Sequence, residues 1–483
     1  MSEDPTETIL DSARYLANIR PIDPEELIDY VASPISPEEV RNVLRDHATE
    51  IGLIERSDGI FEAAKDDPVE VEFDGVARLP HRIDRAIESR LVESSGDQWA
   101  SGESGHRLRT AIRSFKRRYF AGEAVTYDRI TALGYAIYHL PASFASIQYV
   151  VDELRVARLL SSSLRVLDVG AGVGGQALGL DAYLPDSTLI EYTAVESSEA
   201  MVAILGDMLE ETGRNFHWRI RSRHIEQLTE SGPFDLILCS NVLNELDTPV
   251  AAVEMLSRLL ADDGSIIAIE PADEQTSRGL RRIEHRIVST TDVTVFSPTI
   301  RLWPGHEPTD DCWSFRVHPD IETPTVQREI DERPRAAAND RAPASGEFRN
   351  VDVQYSYAIL RTDERRRIDY RVSGSSAIPL NSATDHVTNR VDVAVVKLSH
   401  SLSQSTDSNP LYVVGDGSQD VEWFAVLTAR SHGNHLLEAA SYGDVLLLSN
   451  ALVLWNDDEA AYNLVVDNRC IVDRVTPTGV ELA

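Results

Sequence analysis

The stretch Leu164-Arg165-Val166-Leu167-Asp168-Val169-Gly170-Ala171-Gly172-Val173-Gly174-Gly175 runs from an apolar strand into a glycine loop and on into a helix. Glycines at 170, 172 and 174 permit a tight turn and let backbone amides come close to a ligand. Asp168 precedes the first of them, and a second strand, Ile190–Val195, ends in Glu196 and Ser197. A carboxylate at that strand tip can accept both hydroxyls of a ribose, so the pattern predicts a nucleoside-bearing ligand. A dinucleotide enzyme would carry such an acid too, which leaves the discrimination to the loop. The alternative is a Rossmann-like domain that binds nothing.

A third apolar strand, Phe234–Cys239, delivers Ser240-Asn241-Val242-Leu243-Asn244-Glu245-Leu246, and Gly264–Pro271 forms another that contains Glu270 near its end. Asn241, Asn244 and Glu245 are the polar residues available for catalysis at that tip, although Asn244 and Glu245 could instead cap a helix. The Asp-x-Gly-x-Gly-x-Gly loop resembles that of class I S-adenosylmethionine methyltransferases. That resemblance implies a doubly wound α/β fold and S-adenosylmethionine as cofactor. It implies cofactor contacts from Asp168, Gly170, Ala171, Gly172, Gly174, Glu196, Ser197, His224, Ile225 and Asn241. Family members often have an acid where this chain has His224 and Ile225. Methyl transfer needs a nucleophile aligned with the sulfonium, so positioning does most of the work. The Asp/Asn-Pro-Pro-aromatic element common in amino-group methylases is missing after Ser240, and Cys239 reads as a packing residue inside its strand.

These residues need elements to hold them. Residues 1–75 read as helix, helix and hairpin: Pro24 and Pro37 open acidic helix starts, and Ser57-Asp58-Gly59 turns between two short strands. The order resembles a winged helix, used for docking or for reading DNA. Residues 76–160 read as helical. Within them His106–Phe120 carries Arg107, Arg109, Arg113, Lys116, Arg117 and Arg118 with no acid. Leu108, Ile112, Phe115 and Tyr119 recur at helical spacing on the other side. Those cations are either a solvated face or a strip for phosphates. Residues 161–372 alternate strands and helices, which predicts a parallel sheet, with 322–349 as a flexible insertion and 373–388 as a linker.

Residues 389–483 read as β-rich and resemble an OB-fold of the replication protein A type through Leu411–Gly417, Gly443–Leu448 and Asn450–Val453. The resemblance implies single-stranded nucleic acid stacked on Tyr412, Trp423, Phe424 or Trp455, with Lys397 and Arg430 on the backbone. Alternation puts Trp423 and Phe424 on opposite faces, so one belongs to the core. Residues 389–483 hold 13 acids and 5 bases, which disfavours a purely electrostatic mode. A protein-binding or purely structural barrel is the alternative.

From Arg107 to Arg371 the chain also resembles the methyltransferase-like assembly factors of the mitochondrial small ribosomal subunit and their bacterial and archaeal relatives. The residues are Tyr138-His139-Leu140-Pro141-Ala142-Ser143-Phe144-Ala145, Leu243-Asn244-Glu245-Leu246 and Tyr355-Ser356-Tyr357. The implied partner is small-subunit ribosomal RNA or a pre-ribosomal particle, met either by a methyltransferase or by a non-enzymatic scaffold. A protein directed to single-stranded DNA is the other class. Family members often carry an iron–sulfur cysteine set after the fifth strand. Only Cys312 stands in the matching stretch here, so no cluster and no metal are expected.

Composition sets the frame. The 483 residues hold 46 Lys+Arg against 79 Asp+Glu, a formal charge of −33, with only Lys65, Lys116 and Lys397 as lysines. Dispersed acids with arginine in place of lysine read as halophilic. At 1 M salt the Debye length is about 3 Å, so the net charge says little against a nucleic-acid partner. Hydrophobic content of 42% excludes wholesale disorder. No apolar run suits a membrane span, and a cytoplasmic location is expected.

Overall fold

The computed structural model describes residues 4–475 apart from 33, 122, 124, 307–310, 333–345, 373–376 and 404–407. The chain forms two compact units, Met1–Leu236 with Ile321–Val351, and Ile237–Asp320 with Asp352–Ala483.

The first unit begins with helices Pro5–Ala17, Pro24–Leu27 and Pro37–Asp46, followed by the antiparallel hairpin β1 (Leu53–Glu55) and β2 (Phe61–Ala63). Ile22 bridges Phe61 as a third short strand, which completes the order of a winged helix. Ser36 opens its third helix through a capping box: the Glu39 N–H donates to Ser36 Oγ at 3.2 Å and the Ser36 N–H to Glu39 Oε2 at 2.8 Å. Val40 and Leu44, four apart, are buried on one face. Arg45 forks onto the buried Glu55 at 2.6 and 2.9 Å, so that cation serves the fold.

Helices His81–Ser95, Gly102–Phe120, Arg129–Tyr138 and Leu140–Val156 come next, then strands β3 (Ser163–Val169), β4 (Leu189–Glu196) and β5 (Phe216–Ser222), paired in parallel. Leu108, Ile112 and Phe115 are buried, as their spacing predicts. The reading of this helix as a phosphate strip is corrected for three of its cations. Arg109 is 1% exposed and donates to the carbonyls of Ala100 and Ile330. Arg113 forks onto Glu347 at 2.7 and 2.9 Å, and Lys116 Nζ donates to the Tyr138 hydroxyl at 2.6 Å. Arg107 and Arg117 remain exposed. Two of these partners, Ile330 and Glu347, come from 322–349, expected as a flexible insertion. Its described part includes helix Thr325–Glu332, whose first-turn amides donate to Asp84. Residues 333–345 lie outside the described residues.

The strands that follow are β6 (Phe234–Ser240), which runs across the boundary between the units, β7 (Leu260–Pro271), β8 (Thr294–Ser297), β9 (Arg316–His318) and β10 (Val353–Arg361). The large sheet has eight strands in the order β5-β4-β3-β6-β7-β10-β8, with β9 on β10. β10 is antiparallel to both β7 and β8. One reversed strand inserted next to the edge of an otherwise parallel sheet is the arrangement of class I methyltransferase folds.

The second unit also holds the C-terminal barrel: β11 (Arg390–Lys397), β12 (Leu411–Gly415), β13 (Trp423–Leu427), β14 (Val445–Asn456), β15 (Ala461–Val466) and β16 (Ile471–Val475). The order β11-β12-β13-β15-β14 closes through β14 on β11, and β13 and β15 run parallel. That closed five-stranded path has the topology of an OB-fold.

Three expected contacts of this barrel are corrected, because the side chains lie inside it. Trp423 is 1% exposed and stacks on Tyr462 at 4.6 Å, and Tyr412 is 4% exposed in the same core. Lys397 is 4% exposed, and its Nζ donates to the carbonyls of Leu437, Glu438 and Ala440 at 2.9, 3.3 and 2.7 Å. It also sits 4.3 Å from the Tyr412 ring centroid. Arg430 is exposed but forks onto Glu438. The expected linker is part of the barrel as well: Leu380 and Ala383 are buried in its core. Residues 373–376 of it lie outside the described residues.

Lys397 therefore satisfies the carbonyl end of helix Leu436–Ala439. Lys397→Met keeps the apolar stem and removes the donors, leaving buried carbonyls unpaired. The expected loss is about 2–4 kcal/mol of unfolding free energy. Urea titration of the whole chain measures it.

Candidate functional site

The tips of β3 and β4 bring together Asp168, Gly170, Ala171, Gly172, Gly174, Glu196 and Ser197. Gly170, Gly172 and Gly174 have φ of +70°, +56° and +89°, a region that favours residues without Cβ. At Gly174 a Cβ would also stand 3.0 Å from Leu205 Cδ1. Three amides of the loop tie it to the end of β4. The Gly170 and Ala171 amides donate to the Val195 carbonyl, and the Gly172 amide donates to Glu196 Oε2 at 2.9 Å. The other oxygen of Glu196 accepts from the Ser198 amide at 2.7 Å. Glu196 is 8% exposed, and Ser197 beside it is exposed.

Asp168 lies beneath the loop, at the end of β3. It is fully buried and accepts the Tyr192 hydroxyl, while its Oδ1 has no partner among the described residues. Burial pushes its carboxyl up to about 7, against the Tyr192 bond and with added repulsion from Glu196. Asp168 is thus a support under the loop. His224 is exposed and Ile225 buried in the turn after β5, where the Arg223 amide donates to the Glu196 carbonyl.

Beside the loop stands an aromatic group that the sequence reading missed. A Cβ on Gly172 would lie 4.0 Å from Tyr135 Cε1. Tyr135 packs at 5.8 Å from Tyr127 and at 4.6 Å from His139, which is 5.4 Å from Phe115. Burial, with Lys116 nearby, lowers the His139 pKa to about 4, so the ring is neutral at pH 7. The available signal was Tyr127, Tyr135, Tyr138 and His139, on and beside helix Arg129–Tyr138.

In the second unit, the tip of β6 carries Ser240, Asn241 and the turn Leu243–Glu245. Asn241 has φ +56°, unusual for a residue with a side chain, and its amide donates to the Ile269 carbonyl at 2.8 Å. Glu270, 1% exposed, accepts the Leu243 amide at 2.9 Å and the Asn244 amide at 3.4 Å. Burial raises the Glu270 carboxyl to about 7 in spite of those bonds. The catalytic reading of Asn244 is corrected. Its Nδ2 donates to the Thr276 carbonyl, and its Oδ1 occupies the space a Cβ on Gly279 would take. Asn244 positions the turn on helix Glu274–Thr290; Glu245 is exposed and Asn241 half-buried. Cys239 is fully buried, a packing residue as read. Among the described residues no group of His, Cys, Asp and Glu could hold a metal.

Residues 167–266 match the family described as Methyltransferase domain. Residues 6–57 and 381–475 match the N-terminal and C-terminal domains of the family described as Domain of unknown function (DUF8157). Among curated proteins, the highly reducing polyketide synthase resH of Aspergillus sclerotiorum is 30% identical over 126 residues, covering 24% of this chain. The chain spans only 5% of that relative's length. Among solved structures, the plantazolicin methyltransferase BpumL is 11% identical, covering 59% of this chain and 100% of its own, at a TM-score of 0.30. An S-adenosylmethionine-dependent methyltransferase from Clostridium acetobutylicum is 16% identical, covering 34% and 57%, at a TM-score of 0.24. At such scores these neighbours carry no argument about substrate or mechanism. The family match and the strand order agree, and the chain contains a methyltransferase domain of the class I, Rossmann-like fold.

Proposed function

We propose that the chain is an S-adenosylmethionine-dependent methyltransferase. The observation that carries this reading is Glu196, a carboxylate at the tip of β4 held by the Gly172 and Ser198 amides. The geometry of the site suits that cofactor. Among the described residues other than its chain neighbours, only Tyr135 and the Gly170 carbonyl come within 4 Å of a Cβ placed on Gly172, so backbone can approach an amino-acid moiety there. Glu196 would hold the ribose, the amides of Gly170–Gly174 would line the loop, and Ile225 would give the adenine an apolar neighbour. The bound cofactor supplies an electrophilic methyl group on a sulfonium. Tyr135, with its negative ring face, suits a cation near the loop.

For the acceptor, small-subunit ribosomal RNA or a pre-ribosomal particle is the proposal that the Tyr138–Ala145, Leu243–Leu246 and Tyr355–Tyr357 resemblances support. Arg107, which faces the Asp128 carboxylate, and Arg117 are the exposed cations of the basic helix that could meet phosphate. A scaffold that keeps the pocket without turnover is the second reading. It draws support from Asn244, which is committed to helix Glu274–Thr290 and not to an acceptor.

Three measurements test these readings. Glu196→Ala is expected to weaken S-adenosylmethionine binding by about 10–100-fold in calorimetry, since two ribose hydroxyls lose a charged acceptor. Binding as tight as wild type would place the cofactor elsewhere. Glu270 has a folded pKa near 7 against an ordinary 4.5. The unfolded chain therefore binds fewer protons between those values, and stability falls as pH rises from about 4.5 to 7. Glu270→Gln is expected to remove that slope from the unfolding free energy, a change on the order of 3 kcal/mol across the window. Mass-spectrometric mapping of ribosomal RNA in a Gly172→Asp strain with unchanged protein level is expected to show the loss of one methyl group. An unchanged map moves the acceptor away from ribosomal RNA or favours the scaffold.

A further inference from the structure

The second unit holds a cleft of about 540 Å³ on the outer side of β12 and β13. Its walls include Trp313, Phe424 and Leu411, with Arg278, Glu422 and Glu459 among its polar residues. The indole is a fixed platform. Its N–H donates to the Ala272 carbonyl at 2.8 Å, its ring stacks on Phe315 at 5.2 Å, and its backbone amide donates to Glu422 at 3.1 Å. Phe424 points away from the core that holds Trp423; it is half-buried, packs partly against the second core that contains Leu302 and Val413, and also lines the cleft.

Electrostatics decides which ligand. Among the described residues that line the cleft, Arg278 is the one cation, and it is already engaged by Glu274 at 3.0 Å, Glu422 at 2.9 Å and the Asp311 carbonyl at 2.6 Å. It has little left for a phosphate, and phosphate contacts supply most of the affinity of nucleic-acid binding. Glu459, by contrast, is an exposed carboxylate with no hydrogen-bond or ion-pair partner among the described residues. Asn456 and Asn463 add side-chain carbonyl acceptors. Aromatic faces, a spare carboxylate and amide acceptors together suit a guanidinium, which stacks on rings and donates from five N–H groups.

We propose that this cleft recognises an arginine side chain in a basic segment of a protein partner. The site lies beside the reacting end of its own unit: Trp313 bonds the residue that follows Pro271, and Asn244 ties the β6 turn to the helix that carries Glu274 and Arg278. The inference adds a recognition class to the methyltransferase reading. It is measured without cofactor, so its failure is distinct from that of the Glu196 test.

The experiment titrates the full chain calorimetrically with the peptide acetyl-Gly-Arg-Arg-Gly-amide and with an oligothymidylate of eight nucleotides. The variants are Phe424→Ala, Glu459→Lys and, as a control for general charge attraction, Glu210→Lys on the other unit, where Glu210 is exposed. Peptide binding is expected to weaken about tenfold in Glu459→Lys and about fivefold in Phe424→Ala, while Glu210→Lys changes it by less than about twofold. The oligonucleotide is expected to give no saturable binding. The proposal is overturned by equal losses in Glu459→Lys and Glu210→Lys, by the absence of peptide binding, or by oligonucleotide binding that Phe424→Ala abolishes. Glu459 lies on the surface, so its variant keeps the test valid if Phe424→Ala fails to fold.

Discussion

The carboxylate of Glu196 is the constraint around which the first unit is arranged. Its two oxygens take one amide from the glycine loop and one from the turn after its own strand. A charged acceptor makes these the stronger class of hydrogen bond. The loop needs the tie because its glycines, left alone, would sample many conformations. Asp168 beneath it is fully buried and accepts the Tyr192 hydroxyl. Tyr135 stands beside it, with its Cε1 4.0 Å from where a Cβ on Gly172 would lie. What would be an unstructured turn becomes a fixed row of amides.

The charges of this chain are spent mostly on the fold, and this changes how its composition should be read. In an acidic protein, an unbroken run of cations looks like a surface awaiting an anion. Here Arg109, Arg113 and Lys116 are taken up by carbonyls, a carboxylate and a phenol within their own unit. Arg45 and Lys397 follow the same rule in the winged helix and the barrel. A buried cation with several acceptors costs less than one left unpaired, and it fixes the element that supplies those acceptors. The sequence alone does not distinguish the two uses, because Glu347, which accepts both Arg113 bonds and one of Lys116, lies more than 200 positions away.

How legible each part was follows from the distance over which its cause acts. The β3 strand, the glycine loop and the Glu196 tip are local and periodic, and they were read in place. The antiparallel β10 and the parallel pairing of β13 with β15 are long-range events, visible in the sequence only through family resemblance. β16, Ile471-Val472-Asp473-Arg474-Val475, escaped notice because it is short, polar on one face and paired only with β14. The aromatic group near Gly172 was missed for a different reason. Helical spacing marks Tyr135 and His139 as core, and only the packing of their helix beside the loop turns a core face into a wall. Residues 377–388, rich in polar residues, looked like a linker. Asp416, which accepts the Leu380 amide, pins them to the barrel.

Asp416 gathers more than that amide. It also accepts the indole N–H of Trp303 at 2.7 Å, and its backbone carbonyl accepts the Leu302 amide at 2.9 Å. Ile300, Leu302 and Trp303 thus share a core with Val396, Leu398 and Val413 of the barrel, although some 90 residues separate them in the chain. The barrel is consequently not a detachable module. A fragment beginning at Asn381 would expose that shared apolar surface and strip Asp416 of its indole donor. Any insertion or recombination breakpoint between β8 and β11 has to preserve both sides of the seam, so the two parts of this unit are expected to be inherited as a single piece.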